Sequence, residues 1–154
     1  MEIRTIREKL FWIVIAAAAV VSEGFSLGYY RLNLVVLFVF YIGLKWGTPR
    51  AFLWAAVIGL VLDSMSLNII GPNFFSKGTI VLLIYFIKTG IFNMNPPMNA
   101  LLCAILTVLD NLMVLGSYAV FDTIPINSLD VIDTMVFQSV TNAIAVYFIT
   151  EEDE

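Results

Sequence analysis

Residues 51–67 read AFLWAAVIGLVLDSMSL, an apolar run that contains one acid. Its small residues Ala51, Ala55 and Gly59 recur every four positions, and Asp63 follows at the same spacing. This spacing keeps the four side chains on one face of an α-helix. Small side chains let a neighbouring backbone approach closely, which is how helices associate in lipid. The run therefore predicts a membrane helix that packs tightly along one narrow stripe.

The rest of the chain has the composition of a membrane protein. Of its 154 residues, 60% are hydrophobic and 13% are charged, and the mean hydropathy is +0.94. Soluble domains carry roughly 25% charged residues. We therefore predict an all-α membrane protein, a six-helix transmembrane bundle that forms a single integral membrane domain over residues 1–154. The predicted spans are residues 10–28, 33–44, 51–67, 79–92, 99–121 and 131–150.

The placement of lysine and arginine predicts the orientation. With a cytoplasmic N-terminus, six of the eight cations fall on the cytoplasmic side, and only Arg31 and Lys77 fall on the other. Membrane proteins keep an excess of Lys and Arg in their cytoplasmic connections. We therefore expect a multi-pass protein of the bacterial inner (cytoplasmic) membrane with both termini in the cytoplasm.

Two acids, Asp63 and Asp110, interrupt the apolar runs. A charged side chain in lipid costs about 2.5–3.5 kcal/mol on the insertion scale, so Asp63 should face protein, water or the interface. Asp110 belongs to a polar seam along the fifth run, and the sixth run carries a similar seam. We expect the two seams to face each other. Their members are Cys103, Thr107, Asp110 and Asn111 in the fifth run, and Thr134, Gln138, Thr141, Asn142 and Ala145 in the sixth.

These acids have two interpretations, a proton or ion path and structural hydrogen bonding between helices. The chain has no histidine, and we expect no intramembrane Lys or Arg to accompany the acids, so the structural interpretation is favoured. A further hypothesis, that the protein is an ion-conducting oligomer, is supported only by these two acids. On the structural interpretation, Asp110→Asn should be mild because the amide keeps the hydrogen bonds, whereas Asp63→Leu should disturb helix packing or partner binding.

The sequence contains no recognisable group of catalytic residues. It has no Walker motif, no nucleophile elbow and no Cys–His cluster, and its single Cys103 lies within an apolar run. It also has no basic patch of the kind that binds nucleic acid. We therefore expect no enzyme activity, no cofactor, no metal site and no nucleic-acid partner.

The order of several short motifs resembles the MreD family of rod shape-determining proteins. These motifs are Arg31-Leu32-Asn33, the segment 57–64 (VIGLVLDS) with Gly59, Asp63 and Ser64, then Gly71, Asp110, and the segment 140–143 (VTNA) with Asn142. The resemblance runs from Arg31 to the end of the chain. Leu32 stands where the family usually has proline, and no proline follows Asn142.

The resemblance implies a non-enzymatic scaffold of the cell-wall elongation machinery. Its expected partner is an MreC-type bitopic membrane protein, with MreB, RodA and a penicillin-binding transpeptidase in the same assembly and a homodimer as a further possibility. The implied structural or partner-binding residues are Arg31, Asn33, Gly59, Asp63, Ser64, Gly71, Asp110 and Asn142. The implied fold resembles the substrate-binding S components of energy-coupling factor transporters.

A vitamin-binding subunit of such a transporter is the alternative function. Those subunits usually carry an Ala-x-x-x-Ala pattern in the first helix. Here Ala16–Ala19 form a tract of four, too short to supply two alanines four positions apart. This absence favours the scaffold.

Overall fold

A computed structural model describes the backbone of residues 2–23, 26–27, 30–66, 70–90, 95–120 and 128–151, and the side chains of residues 11–22, 32–65, 70–89, 95–120 and 130–151. This part of the chain is helical apart from one short antiparallel pair of strands. Its elements are α1 (Glu2–Glu23), β1 (Ser26–Leu27), β2 (Tyr30–Arg31), α2 (Leu34–Lys45), α3 (Thr48–Ser66), α4 (Pro72–Gly90), α5 (Pro96–Val120) and α6 (Ser128–Glu151).

The predicted all-α class is confirmed, but several helices begin or end at other residues than predicted. The first span was predicted to reach residue 28, but α1 ends at Glu23 and β1 follows. The fourth was predicted to begin at residue 79, but α4 begins at Pro72. The predicted spans left Gly71-Pro72-Asn73 in a connection, yet proline is favoured at the first position of a helix because its missing N–H has no partner there. As a result, Lys77 lies inside α4.

Among the residues that the structure describes, three helical segments are long and apolar enough to cross a membrane. They are Thr48–Met65, Pro96–Val120 and Asp130–Glu151. Two shorter apolar helical segments, Phe11–Ser22 and Leu34–Lys45, accompany them. Their composition fits a membrane protein, and the count of six passes stays a prediction.

The short helix α2 lies at the centre of the bundle. It contacts each of the other five helices, and Val35, Val36, Val39 and Ile42 are completely buried. A helix that is apolar all round is typical of such a central position. The bundle is therefore organised around α2.

The small-residue stripe of α3 packs as predicted. Ala51 and Ala55 are fully buried, and Gly59 lies against the first turn of α4. A Cβ atom on Gly59 would lie 2.6 Å from the Cα of Phe74 and 2.7 Å from the backbone oxygen of Asn73. Only glycine fits there, because the obstructing atoms belong to the backbone and cannot move independently.

We predict that Gly59→Ala lowers the free energy of unfolding by about 1–3 kcal/mol, the usual range for overpacking. Thermal unfolding of the purified protein in mild detergent would measure the change. Gly116→Ala is the matched control, since no atom lies within 4 Å of its added Cβ and alanine is the better helix former. Equal melting temperatures for the two variants would contradict the close approach.

Candidate functional site

The carboxylate of Asp63, at the end of α3, binds the beginning of α4. Its Oδ2 accepts hydrogen bonds from the backbone N–H groups of Gly71, at 2.8 Å, and Phe74, at 3.1 Å. Its Oδ1 accepts from the backbone N–H of Asn73 at 2.9 Å and from the Asn73 side-chain amide at 3.0 Å. Asp63 is 1% exposed, so a buried acid from one helix caps the next.

This cap provides acceptors for the backbone N–H donors at the start of α4. The first N–H groups of any helix lack partners within the helix. In α4 the first position is Pro72, which has no N–H, and the next two donors, from Asn73 and Phe74, both bind Asp63. A carboxylate is also stabilised at the positive end of the helix dipole. Gly71 adopts φ +134° before the helix, a conformation that favours glycine.

One turn further along α4, Lys77 forms a buried ion pair with Asp110 of α5. Its Nζ lies 2.7 Å from Asp110 Oδ2 and 2.8 Å from Oδ1, and both side chains are 2% exposed. The third Nζ donor binds the Asn73 side-chain oxygen at 3.3 Å. The Ser76 hydroxyl also donates to Asp110 Oδ1. The expectation that no Lys or Arg accompanies the acids was wrong, because Lys77 was assigned to a loop and lies instead on α4.

Asn33 joins the ion pair to the beginning of α2. Its side-chain oxygen accepts from the backbone N–H of Val36 at 3.2 Å and caps α2. Its side-chain nitrogen donates to Asp110 Oδ2 at 3.1 Å. The amide of Asn142, on α6, donates to the backbone oxygen of Asn33 at 3.0 Å and to the Thr107 hydroxyl at 3.1 Å. Asn33 thereby connects three helices.

The predicted pairing of the two polar seams is confirmed. Besides the contact between Asn142 and Thr107, the amide nitrogen of Asn111 on α5 donates to the side-chain oxygen of Gln138 on α6 at 2.9 Å. The side chains of Asn142 and Gln138 are 1% and 6% exposed. Interhelical hydrogen bonds in membranes stabilise by only about 0.6 kcal/mol each on average. Their combined effect is to fix the rotation of α6 on α5.

The hydrogen bonds form one polar network that reaches five helices, from Asp63 through Asn73, Lys77 and Asp110 to Asn33 and Asn142. It borders a half-open cavity of about 460 Å³ at the end of the bundle where α2 and α4 begin and α3 ends. Five helices and the Leu32-Asn33 segment before α2 contribute to the lining. The lining residues are Val20, Leu32, Asn33, Leu62, Met65, Asn73, Lys77, Asp110, Asn111, Val114, Tyr118, Thr134 and Gln138.

The network is built for holding helices together. Each of the three Nζ donors of Lys77 has an acceptor, and both carboxylates accept several hydrogen bonds. Within the described ranges, no group of three potential metal ligands occurs. Buried polar groups that satisfy one another specify a single arrangement of their helices.

Six of the eight residues singled out in the sequence take part in this site. Gly59, Asp63 and Gly71 meet at the start of α4, and Asp110, Asn33 and Asn142 meet at the ion pair. Ser64 does not join them, since its exposed hydroxyl donates to the backbone oxygen of Leu60 on its own helix. The backbone of Arg31 lies in β2, and its side chain falls outside the described residues. The sequence reasoning missed Asn73, Ser76 and Lys77.

We predict that Asp110→Asn is severe, which reverses the expectation from the sequence. The amide oxygen would keep the bond from Asn33, and its NH2 group would have to donate to the Ser76 hydroxyl. The charge of Lys77 would be left buried without compensation. Removing one partner of a buried ion pair costs about 3–5 kcal/mol. Thermal unfolding in mild detergent, with the yield of monodisperse protein, measures the loss.

The double variant Lys77→Met/Asp110→Asn is the matched control because it removes both charges together. We expect it to recover most of the stability lost in either single variant, as a coupled pair does in a double-mutant cycle. If the losses of the two single variants simply add, the ion pair is not the coupling element.

Comparison with known proteins agrees with the motif order. A family model described as rod shape-determining protein MreD matches residues 5–150. No curated protein matches the chain, and no solved structure matches it. The family match includes Asp63, Lys77, Asp110 and Asn142, and so contains the whole polar network. Since the match extends over nearly the entire sequence, the chain belongs to the MreD family of rod shape-determining proteins.

Proposed function

We propose that this membrane protein is a non-enzymatic scaffold of the bacterial cell-wall elongation machinery that binds an MreC-type bitopic protein and so helps to maintain rod shape. The family match over residues 5–150 is the observation that carries the proposal. The polar network supports it, because its described donors and acceptors bind one another and hold the helices in place. MreB, RodA and a penicillin-binding transpeptidase are the further partners proposed for the assembly.

The distribution of charge supports an orientation with both termini in the cytoplasm of the inner membrane. Lys45, Arg50 and Lys88 are exposed at one end of the bundle, and Lys88 Nζ donates to the backbone oxygen of Leu44 at 2.6 Å. At the other end Lys77 is buried and paired, so it does not act as a loop cation. The positive-inside rule then assigns the end with Lys45 to the cytoplasm.

Aromatic rings at the same end support its placement at a membrane–water interface. Trp12 stacks on Tyr41 with ring centroids 5.8 Å apart, and Trp46 contacts both Trp12 and Trp54 at 5.1 and 6.0 Å. Tryptophan and tyrosine are enriched where a membrane protein meets the interface. The proposal also includes six passes. A likeness of the bundle to the S components of energy-coupling factor transporters belongs to the same proposal.

The cavity favours a second candidate function, a substrate-binding subunit of an energy-coupling factor transporter. Its volume of about 460 Å³ lies in the range of small-molecule sites, roughly 300–1,000 Å³. The amides of Asn111 and Gln138 lie on its wall. This candidate requires a bound small molecule and an ATPase pair.

We expect affinity purification in mild detergent, followed by mass spectrometry, to recover a single-span protein with a coiled-coil segment. An unrelated multi-pass protein with the same tag controls for carry-over. Recovery of an ATPase pair together with a bound small molecule would replace the scaffold with the transporter subunit.

The orientation predicts opposite labelling of two introduced cysteines. Ile70→Cys lies in the α3–α4 connection, where the native side chain is 75% exposed, and Gly47→Cys lies in the exposed α2–α3 connection. In spheroplasts, a membrane-impermeant maleimide should label Ile70→Cys and leave Gly47→Cys unlabelled until lysis. The native Cys103 is buried, so the parent protein gives the background. The reverse pattern would invert the proposed topology.

A further inference from the structure

Helix α6 presents a regular seam of side chains on the surface of the bundle. Asp133, Val136, Val140, Ile144 and Tyr147 follow one another at intervals of three and four residues. Asp133 is exposed, and the exposed fractions of the other four are 57%, 51%, 54% and 37%. An average spacing near 3.5 residues is the pattern of helices that pair at a shallow left-handed angle. The seam has the spacing of a helix-pairing surface.

The opposite face of α6 fixes the direction of this seam. Gln138, Asn142 and Val146 are 6%, 1% and 3% exposed. Gln138 is bound by Asn111 of α5, and Asn142 binds the backbone of Asn33. These contacts anchor the inner face of α6, so the seam points outward. Only 17% of the apolar segment of α6 is buried inside the bundle, against 33% for α3 and 28% for α5.

A groove runs along the first half of the seam. Its volume is about 460 Å³, and Asp133, Val136, Phe137 and Val140 line it. Lipid tails could cover the apolar part, but a carboxylate gains nothing from them. No cation among the described residues forms an ion pair with Asp133. Asp133 belongs to the second turn of α6 and to its apolar segment, and an ionisable residue in such a segment is by default a candidate for a functional contact.

The charge of Asp133 selects among the possible occupants of the groove. A second copy that packed its own seam here about a twofold axis would bring Asp133 against Asp133, and like charges in close contact disfavour association. A partner helix with Lys or Arg at the matching depth would instead pair with Asp133. Its apolar side chains would fill the spaces between Val136, Val140 and Ile144.

We propose that the α6 seam is the docking surface for the single membrane-spanning helix of a bitopic partner, which places a Lys or Arg beside Asp133. This inference rests on the proposed scaffold function and adds the surface and the chemistry of the contact. The partner helix crosses α6 at a shallow left-handed angle and covers the groove. Asp133 sets the depth and the specificity of the contact, while the apolar seam provides the contact area.

A matched pair of tryptophan variants tests the surface. Val140 on α6 and Val57 on α3 have nearly equal exposed fractions, 51% and 50%. Each is replaced by Trp in the full-length protein, which is then purified in mild detergent with the co-expressed bitopic partner. We expect Val140→Trp to lower the recovered partner at least about tenfold, which corresponds to 1.4 kcal/mol, and Val57→Trp to leave it unchanged. Size-exclusion profiles and melting temperatures verify that both variants fold.

Charge reversal tests the role of Asp133. Asp133→Lys should reduce partner recovery, and replacing the basic residue of the partner's span by Asp should restore it. Oxidative cross-linking of Val140→Cys in a Cys103→Ala background should join the chain to a cysteine in the partner helix. Cross-linking of Val140→Cys to a second copy of this chain would assign the seam to a dimer and overturn the proposal.

The outcomes separate this inference from the proposed function. If the unmodified protein recovers the bitopic partner and Val140→Trp recovers it equally well, the scaffold function stands and the α6 surface is wrong. If Val57→Trp abolishes recovery and Val140→Trp does not, the partner docks on α3. If the unmodified protein recovers no bitopic partner, the proposed function fails and the surface fails with it.

Discussion

Lys77 and Asp110 lie on different helices and are almost completely withdrawn from solvent, so each charge depends on the other. Their distances of 2.7 and 2.8 Å leave little freedom in the register of α4 against α5. Asn33 binds the same carboxylate and also caps the N-terminus of α2. The position of the central helix is thereby tied to that of the ion pair. Burying two charges is costly even when they are paired. We therefore expect this ion pair to contribute more to specifying one arrangement of the helices than to the stability of the bundle.

The α3–α4 contact meets a different physical requirement. Two helices that approach as closely as Gly59 and Phe74 have no room for side chains between them, and the beginning of α4 would otherwise be buried with unpaired N–H groups. Asp63, one turn after Gly59, supplies the acceptors. The four-residue spacing from Gly59 to Asp63 therefore combines close approach and capping on a single face.

The sequence predicted the helices and several contacts because those features depend on local spacing. The stripe from Ala51 to Asp63 and the facing seams of α5 and α6 could be recognised from periodicity alone. Lys77 could not, because a glycine and a proline before it suggested a loop and because its partner lies 33 residues further along the chain. Nor could sequence show that Asn33 binds Asp110, since that contact depends on how α2 and α5 are rotated within the bundle.

The order of the network along the chain has a consequence for synthesis. Asp63 reaches partners only 8–11 residues away, so the α3–α4 hairpin can close as soon as both helices have left the ribosome. Lys77 is made before Asp110, and the bond from Asn142 to Asn33 spans 109 residues. With the six passes proposed here, α4 enters the bilayer with its lysine unpaired, near the helix end from which a long side chain can reach the interface. The ion pair can therefore form only after α5 has been made, and α6 completes the network last.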